Sequence, residues 1–75
     1  MLNAISDFMI HVDESLDKQA REAVEDHVRA HACVISAAIP PQTPHLMLVV
    51  YDSDCSSAGQ ILGHVRDRGL HSTML

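Results

Sequence analysis

Phe8, Ile10 and Val12 alternate with Met9 and His11, the two-residue period of a strand with one buried face. Asp13-Glu14-Ser15 then breaks the period with turn and cap residues. From Asp17 onward, apolar positions recur at Ala20, Ala23, Val24 and Val28, one face of a helix, with Glu22, Glu25, Asp26 and Arg29 on the other side. Ser15 or Asp17 is placed to cap that helix, and acidic residues near its start suit the dipole. Val34 to Ile39 reads as a second strand. Pro40-Pro41-Gln42-Thr43-Pro44 is a connection, because its prolines lack the N–H groups a ladder needs. Leu46 to Tyr51 is the clearest strand of the chain, and a hairpin joins it to the second. After the polar turn Asp52–Ser56, Ser57 and Gln60 have the spacing of a capping box. Ala58, Ile61, Leu62 and Val65 then mark a second amphipathic helix. Gly69, following Arg66 and Arg68, is a stop signal, and His71 to Leu75 has room for a short last strand.

The order β-α-β-β-α-β predicts an α+β, ferredoxin-like sandwich: a four-stranded antiparallel sheet with two helices on one face. No linker, repeat or low-complexity tract interrupts it. The expectation is one domain over residues 1–75, with its core over about 8–75.

Composition narrows the function. Of 75 residues, 47% are hydrophobic, enough for a packed core but one built from aliphatics, since Phe8 and Tyr51 are the only aromatics. Net charge is −5 with five Lys+Arg, which argues against a phosphate-binding surface and so against nucleic acid. Few aromatics remove the stacking platform of single-strand binders as well. The first residues, Met1 to Asp7, show no basic stretch followed by a long apolar one, and no run approaches the roughly 20 apolar residues that span a bilayer. A soluble, cytoplasmic protein with no membrane partner is expected. Two cysteines, Cys33 and Cys55, form no CxxC, whereas six histidines are a high count for this length and hint at metal or proton chemistry.

With these elements in place the chain resembles the heavy-metal-associated domains of copper chaperones and metal-pumping ATPases. Ile10-His11-Val12 matches that family's first strand, Val24-Glu25 its helix signature, and Val34 the valine before strand two. Tyr51-Asp52 matches the end of strand three, Ser57 and Ile61 the second helix, and Gly69-Leu70 stands at the closing Gly-Tyr. The spacing agrees from Phe8 to Leu75, apart from one extra residue in the Pro-rich hairpin. The resemblance implies the same fold and metal binding or trafficking, with a metal-transport protein or metalloprotein as partner. Its metal loop differs here. The Gly-Met of the family falls on Glu14-Ser15, and its two metal-binding cysteines fall on Asp17 and Ala20. A carboxylate and a methyl group cannot replace two thiolates for Cu(I), so those ligand roles do not transfer.

Donors elsewhere are the candidates. The topology gathers residues 13–17, the 40–45 hairpin and the turn after helix two at one end, offering Asp13, Glu14, Asp17, His45 and, at the margin, His71. Oxygen and nitrogen donors of this kind suit Zn, Ni, Co or Cu as divalent ions; the alternative is a solvated acidic loop that caps helix one. The opposite end gathers His31, Cys33, Asp52, Asp54 and Cys55, with His27 one helical turn behind His31. The thiols and an imidazole could there form a tetrahedral site, or the thiols could pair as a disulfide, or Cys33 could pack under the helix end while Cys55 stays exposed. His27 and His31 are expected as half-buried helix-edge residues, and His64 as solvent-facing.

Strand three carries a separate signal. Six consecutive apolar residues make both of its faces apolar, yet this topology covers one face with helices. If Met47, Val49 and Tyr51 face the helices, then Leu46, Leu48 and Val50 lie on the open face beside Met9, His11 and Ala38. Such a patch calls for a partner, and a homodimer is the simplest. A metal-independent interaction or dimerisation module is thus the alternative function. No nucleophile–base pair, phosphate loop or paired carboxylate marks an enzyme.

Overall fold

The computed structural model describes residues 4–75; the reading of the chain's first residues extends to Met1, Leu2 and Asn3, which lie outside them. The elements follow the expected order: β1 (Ile5–Val12), α1 (Lys18–Arg29), β2 (Val34–Ala38), β3 (Leu46–Asp52), α2 (Ala58–Arg66) and β4 (Ser72–Met74). The strands form one sheet in the order β2-β3-β1-β4, with every neighbouring pair antiparallel. This is the ferredoxin-like sandwich that the sequence predicts.

Register decides which side chains are buried. Ile10 pairs with Met47 and Phe8 with Val49, so these four share the face under the helices. Ile10, Val12, Met47 and Val49 are buried, together with Tyr51, and meet Val24 and Val28 of α1 and Ile61, Leu62 and Val65 of α2. The two aromatics extend this core edge to face, with ring centroids 5.4 Å apart at 88°.

Local signals start and stop the elements. Asp17, not Ser15, caps α1: its Oδ1 accepts the Ala20 N–H at 2.8 Å. Lys18, Gln19 and Ala20 put no acid in the first turn, so the carboxylate that suits the dipole there is the cap itself. Ser57 and Gln60 make the reciprocal capping box at α2. Gly69 has φ 87°, a conformation that costs a glycine little and turns the chain from α2 toward β4.

β2 ends one residue before the sequence places it. Ile39 is buried, but its N–H leaves the ladder and donates to Glu25 Oε2 at 2.7 Å. Glu25 thereby ties α1 to the end of β2, a role for the Val24-Glu25 signature that periodicity does not reveal. At the far edge, Arg66 Nε and Nη2 both donate to the Ser72 carbonyl, at 3.1 and 2.8 Å, and fix α2 to β4.

Candidate functional site

The β1–α1 connection, the β2–β3 hairpin and the turn after α2 meet at one end of the sheet, and their polar groups are taken up by one another. Glu14 accepts the His71 backbone N–H through both oxygens at 3.0 Å and the His71 Nδ1–H at 2.7 Å. These bonds hold the Glu14 carboxyl below its ordinary pKa, the backbone N–H of His71 contributing most. In return the carboxylate, chiefly through its side-chain hydrogen bond, raises the pKa of His71. Asp13 pairs with His11 at 3.0 Å. His45 Nδ1 donates to the Val12 carbonyl at 2.8 Å, while the Val12 N–H donates to the His45 carbonyl at the same distance.

Asp13, Glu14, Asp17 and His45, expected as hard metal ligands, are therefore brought to one end without forming a metal cluster. No group of three or more His, Cys, Asp or Glu side chains among the described residues is arranged to hold an ion. The physical reason is that each donor already serves a cap, a carbonyl or a neighbouring imidazole.

The opposite end differs in chemistry. Cys33, in the turn between α1 and β2, and Cys55, in the turn between β3 and α2, are joined as a disulfide with Cα atoms 5.5 Å apart. Around it the backbone is closely tied: the Asp52 N–H donates to the Cys33 carbonyl at 2.9 Å and the Cys55 N–H to the Asp52 carbonyl at 3.0 Å. Asp52 Oδ1 also accepts the Asp54 N–H at 3.0 Å. His31 Nδ1 accepts the Cys33 N–H at 3.1 Å, so that ring nitrogen is occupied. Of the alternatives open to the sequence, the disulfide is the one formed. A tetrahedral site of two thiols and imidazole is not, because the sulfurs bond each other and His31 holds backbone.

A histidine pair that the sequence does not announce lies between the helices. His27 and His64 stack with centroids 4.1 Å apart and planes 4° from parallel. Each ring donates Nε2–H to the other residue's backbone carbonyl, at 2.8 and 2.7 Å. His31 meets His64 edge-on at 5.2 Å. His64 is thus half-buried rather than solvent-facing, because the turn-by-turn facing of α1 and α2 offers its ring a partner. A signal was present only in retrospect: two histidines on separate helices, each one position from a core valine.

The open side of the sheet is apolar at its centre. Met9 lies opposite Leu48, His11 opposite Leu46 and Asp7 opposite Val50, while Ala38 and Ser36 flank Leu48 and Val50 on β2. Leu48 and Met9 keep 42% and 40% of their exposure, in contrast to the buried Met47, Val49 and Tyr51 on the other face.

No family model and no curated protein sequence matches the chain. Solved structures do. A copper binding domain from HMA7, a P-type ATPase, superposes with a TM-score of 0.82 at 17% identity, covering 92% of each chain. The two share one fold, the ferredoxin-like sandwich. Oxidized MerP from Ralstonia metallidurans CH34 gives a TM-score of 0.82 at 15% identity, over 95% of this chain and 97% of MerP. The CopZ metallochaperone gives 0.76 at 20% identity, over 93% of this chain and all of CopZ. At such identities the likeness shows the fold alone and no individual ligand. No helix among the described residues is long and apolar enough to cross a membrane.

Proposed function

We propose that this chain is a metal-ion binding and trafficking module whose donors are Cys33 and Cys55, at the opposite end of the fold from Asp17 and Ala20. The observation that carries the reading is the convergence of two cysteines from separate turns to a Cα separation of 5.5 Å. Fold neighbours named as a copper binding domain and a metallochaperone support it. A thiol reductant supplies two electrons and two protons to the disulfide and leaves as its own disulfide; binding then releases both protons as the thiolates form. A reducing compartment, the cytoplasm by default, would keep the pair as thiols.

Two sulfur donors without a third arranged ligand suit a soft ion at low coordination number, Cu(I), better than the divalent Zn, Ni, Co or Cu ions. The metal is cargo in this reading and not a resident cofactor, and its partner a metal-transport protein or metalloprotein; no catalytic step is assigned. Titration of the reduced chain against a competing Cu(I) chelator tests it. The expected result is one equivalent bound, lost in Cys33→Ser and in Cys55→Ser and unchanged in Asp17→Asn. Binding that survives both serine variants would sink the reading.

A second reading, a docking module independent of metal, is favoured by the exposed Met9 and Leu48 on the open sheet face.

A further inference from the structure

The Cys33–Cys55 bond joins two sulfurs of unequal access. Cys55 is exposed in the turn before α2, whereas Cys33 is half-buried between α1 and β2. The rate of thiol–disulfide exchange depends on which sulfur an incoming thiolate can reach, and here that is Cys55. The two turns are also held without the sulfurs. The Asp52 N–H donates to the Cys33 carbonyl at 2.9 Å, and the Asp52 carbonyl accepts the Cys55 N–H at 3.0 Å. Opening the disulfide breaks neither bond, so the cysteines stay side by side. That pre-organisation lets Cys33 close the ring again on a sulfur held by Cys55.

Charge at this end is acidic. Asp52 and the exposed Asp54 precede Cys55 in its turn, with Asp52 Oδ1 accepting the Asp54 N–H at 3.0 Å. Arg29, near the same end of α1, is spent on Asp26 at 3.0 Å and Glu25 at 3.7 Å. Lys18 and Arg21 lie at the start of α1 and Arg66 and Arg68 at the close of α2, all toward the opposite end. His31 accepts the Cys33 N–H through Nδ1, a nitrogen that then carries no proton, so its ring adds no charge. No basic side chain among the described residues therefore cancels Asp52 and Asp54. We propose that Cys33 and Cys55 form a thiol–disulfide exchange site, entered at Cys55, that takes neutral and cationic thiols in preference to anionic ones.

In the reducing direction the incoming thiolate bonds to Cys55 Sγ as the Cys33–Cys55 bond breaks. The electron pair of that bond leaves on Cys33, which takes a proton from water. A second thiolate then bonds to the sulfur of the first, and Cys55 leaves with the electron pair and is protonated in turn. Two small thiols become one small disulfide, and the chain gains two electrons and two protons. From a small disulfide the same steps run backwards. The site uses the cysteine pair of the proposed function but no metal. Its failure leaves Cu(I) binding open to test on chain reduced by a phosphine.

The test takes the oxidised full chain, with a chelator present, and cysteamine, mercaptoethanol and glutathione as probes. Apart from their sulfurs these are cationic, neutral and net anionic, and their rates are compared per thiolate. Alkylation stops the reaction, and tandem mass spectrometry reads which sulfur carries the probe. The expected result is the probe on Cys55 and the alkyl group on Cys33. Cysteamine should outpace glutathione by about threefold or more at low salt, the effect of one unit charge nearby. Asp54→Asn should bring that ratio toward one, and Asp54→Lys should invert it. Cys33→Ser treated with cystamine should keep a stable adduct on Cys55, whereas reduced wild type should expel it by closing its ring. A disulfide that resists millimolar thiol until urea unfolds the chain overturns the exchange site. The probe mainly on Cys33 overturns entry at Cys55. Equal rates for the three probes, unmoved by Asp54→Lys, overturn the charge selection.

Discussion

The two ends of this sheet hold similar numbers of polar side chains and use them in opposite ways. At the β1–α1 end, Glu14, His71, His11, Asp13, His45 and Asp17 satisfy one another or nearby backbone. At the other end, two sulfurs from turns 22 residues apart share a covalent bond that a reductant can open. A count of ligand types therefore does not tell the two ends apart. What distinguishes a metal site from a set of caps and clasps is whether the donors have already been spent on the fold.

The largest consequence of that contrast concerns stability. Closing a loop across the 22-residue separation stabilises the folded chain by roughly 3 kcal/mol in the chain-entropy view. Urea unfolding with and without a reductant, or of Cys33→Ser against wild type, should show a loss of that order. Asp13→Asn at the other end should change stability by less than about 0.5 kcal/mol, as exposed ion pairs do. A loss below about 1 kcal/mol on reduction would mean that the hydrogen bonds around Asp52 hold the two turns without help.

The His27–His64 clasp comes next in size. Its two rings stack at 4.1 Å and exchange a pair of hydrogen bonds with backbone carbonyls that helix termini leave without intrahelical partners. His64→Ala removes one of those bonds with its stack and leaves His27 without its reciprocal partner, so a cost of about 2 kcal/mol is expected from chemical unfolding. His64→Phe keeps a ring but no donor and should recover only the stacking share, about 1 kcal/mol. Equal stability of His64→Phe and His64→Ala would show that the bonds, not the stack, hold the helices.

How much of this was legible beforehand follows from the range of the interactions. The elements and the inward face of β3 were readable, because periods of two and 3.6 residues and the signals at Ser57, Gln60 and Gly69 act within a few positions. The disulfide was open among alternatives, since only tertiary structure fixes how close two turns lie. His64 was misplaced for a related reason: a ring one position from Val65 can point to solvent or along the neighbouring helix, and that choice rests on α1. The hard-ligand end differs again. Its residues did converge, but convergence near helix starts and strand ends also supplies unpaired N–H and C=O groups, which claim the donors first.

The smallest effect separates a clasp from a titrating site at the acidic end. His71 has its pKa raised and Glu14 its pKa lowered by the same contact, from ordinary values of 6.5 and 4.5. The stabilisation from the raised histidine is fully present below pH 6.5 and is lost as pH rises through its folded pKa. That from the lowered carboxylate is fully present above pH 4.5 and is lost as pH falls through its own folded pKa. The pair is thus at full strength between these values and fades on either side. Glu14→Gln keeps an oxygen for the His71 N–H but removes the charge, so the difference in unfolding midpoint between wild type and variant should peak in that window. The His71 ring, followed by NMR, should titrate closer to its ordinary value in the variant. An unmoved His71 titration would show that the contact at 2.7 Å is geometric and not electrostatic. It would also leave that imidazole as available to a cation as any exposed one, and so narrow the contrast between the two ends.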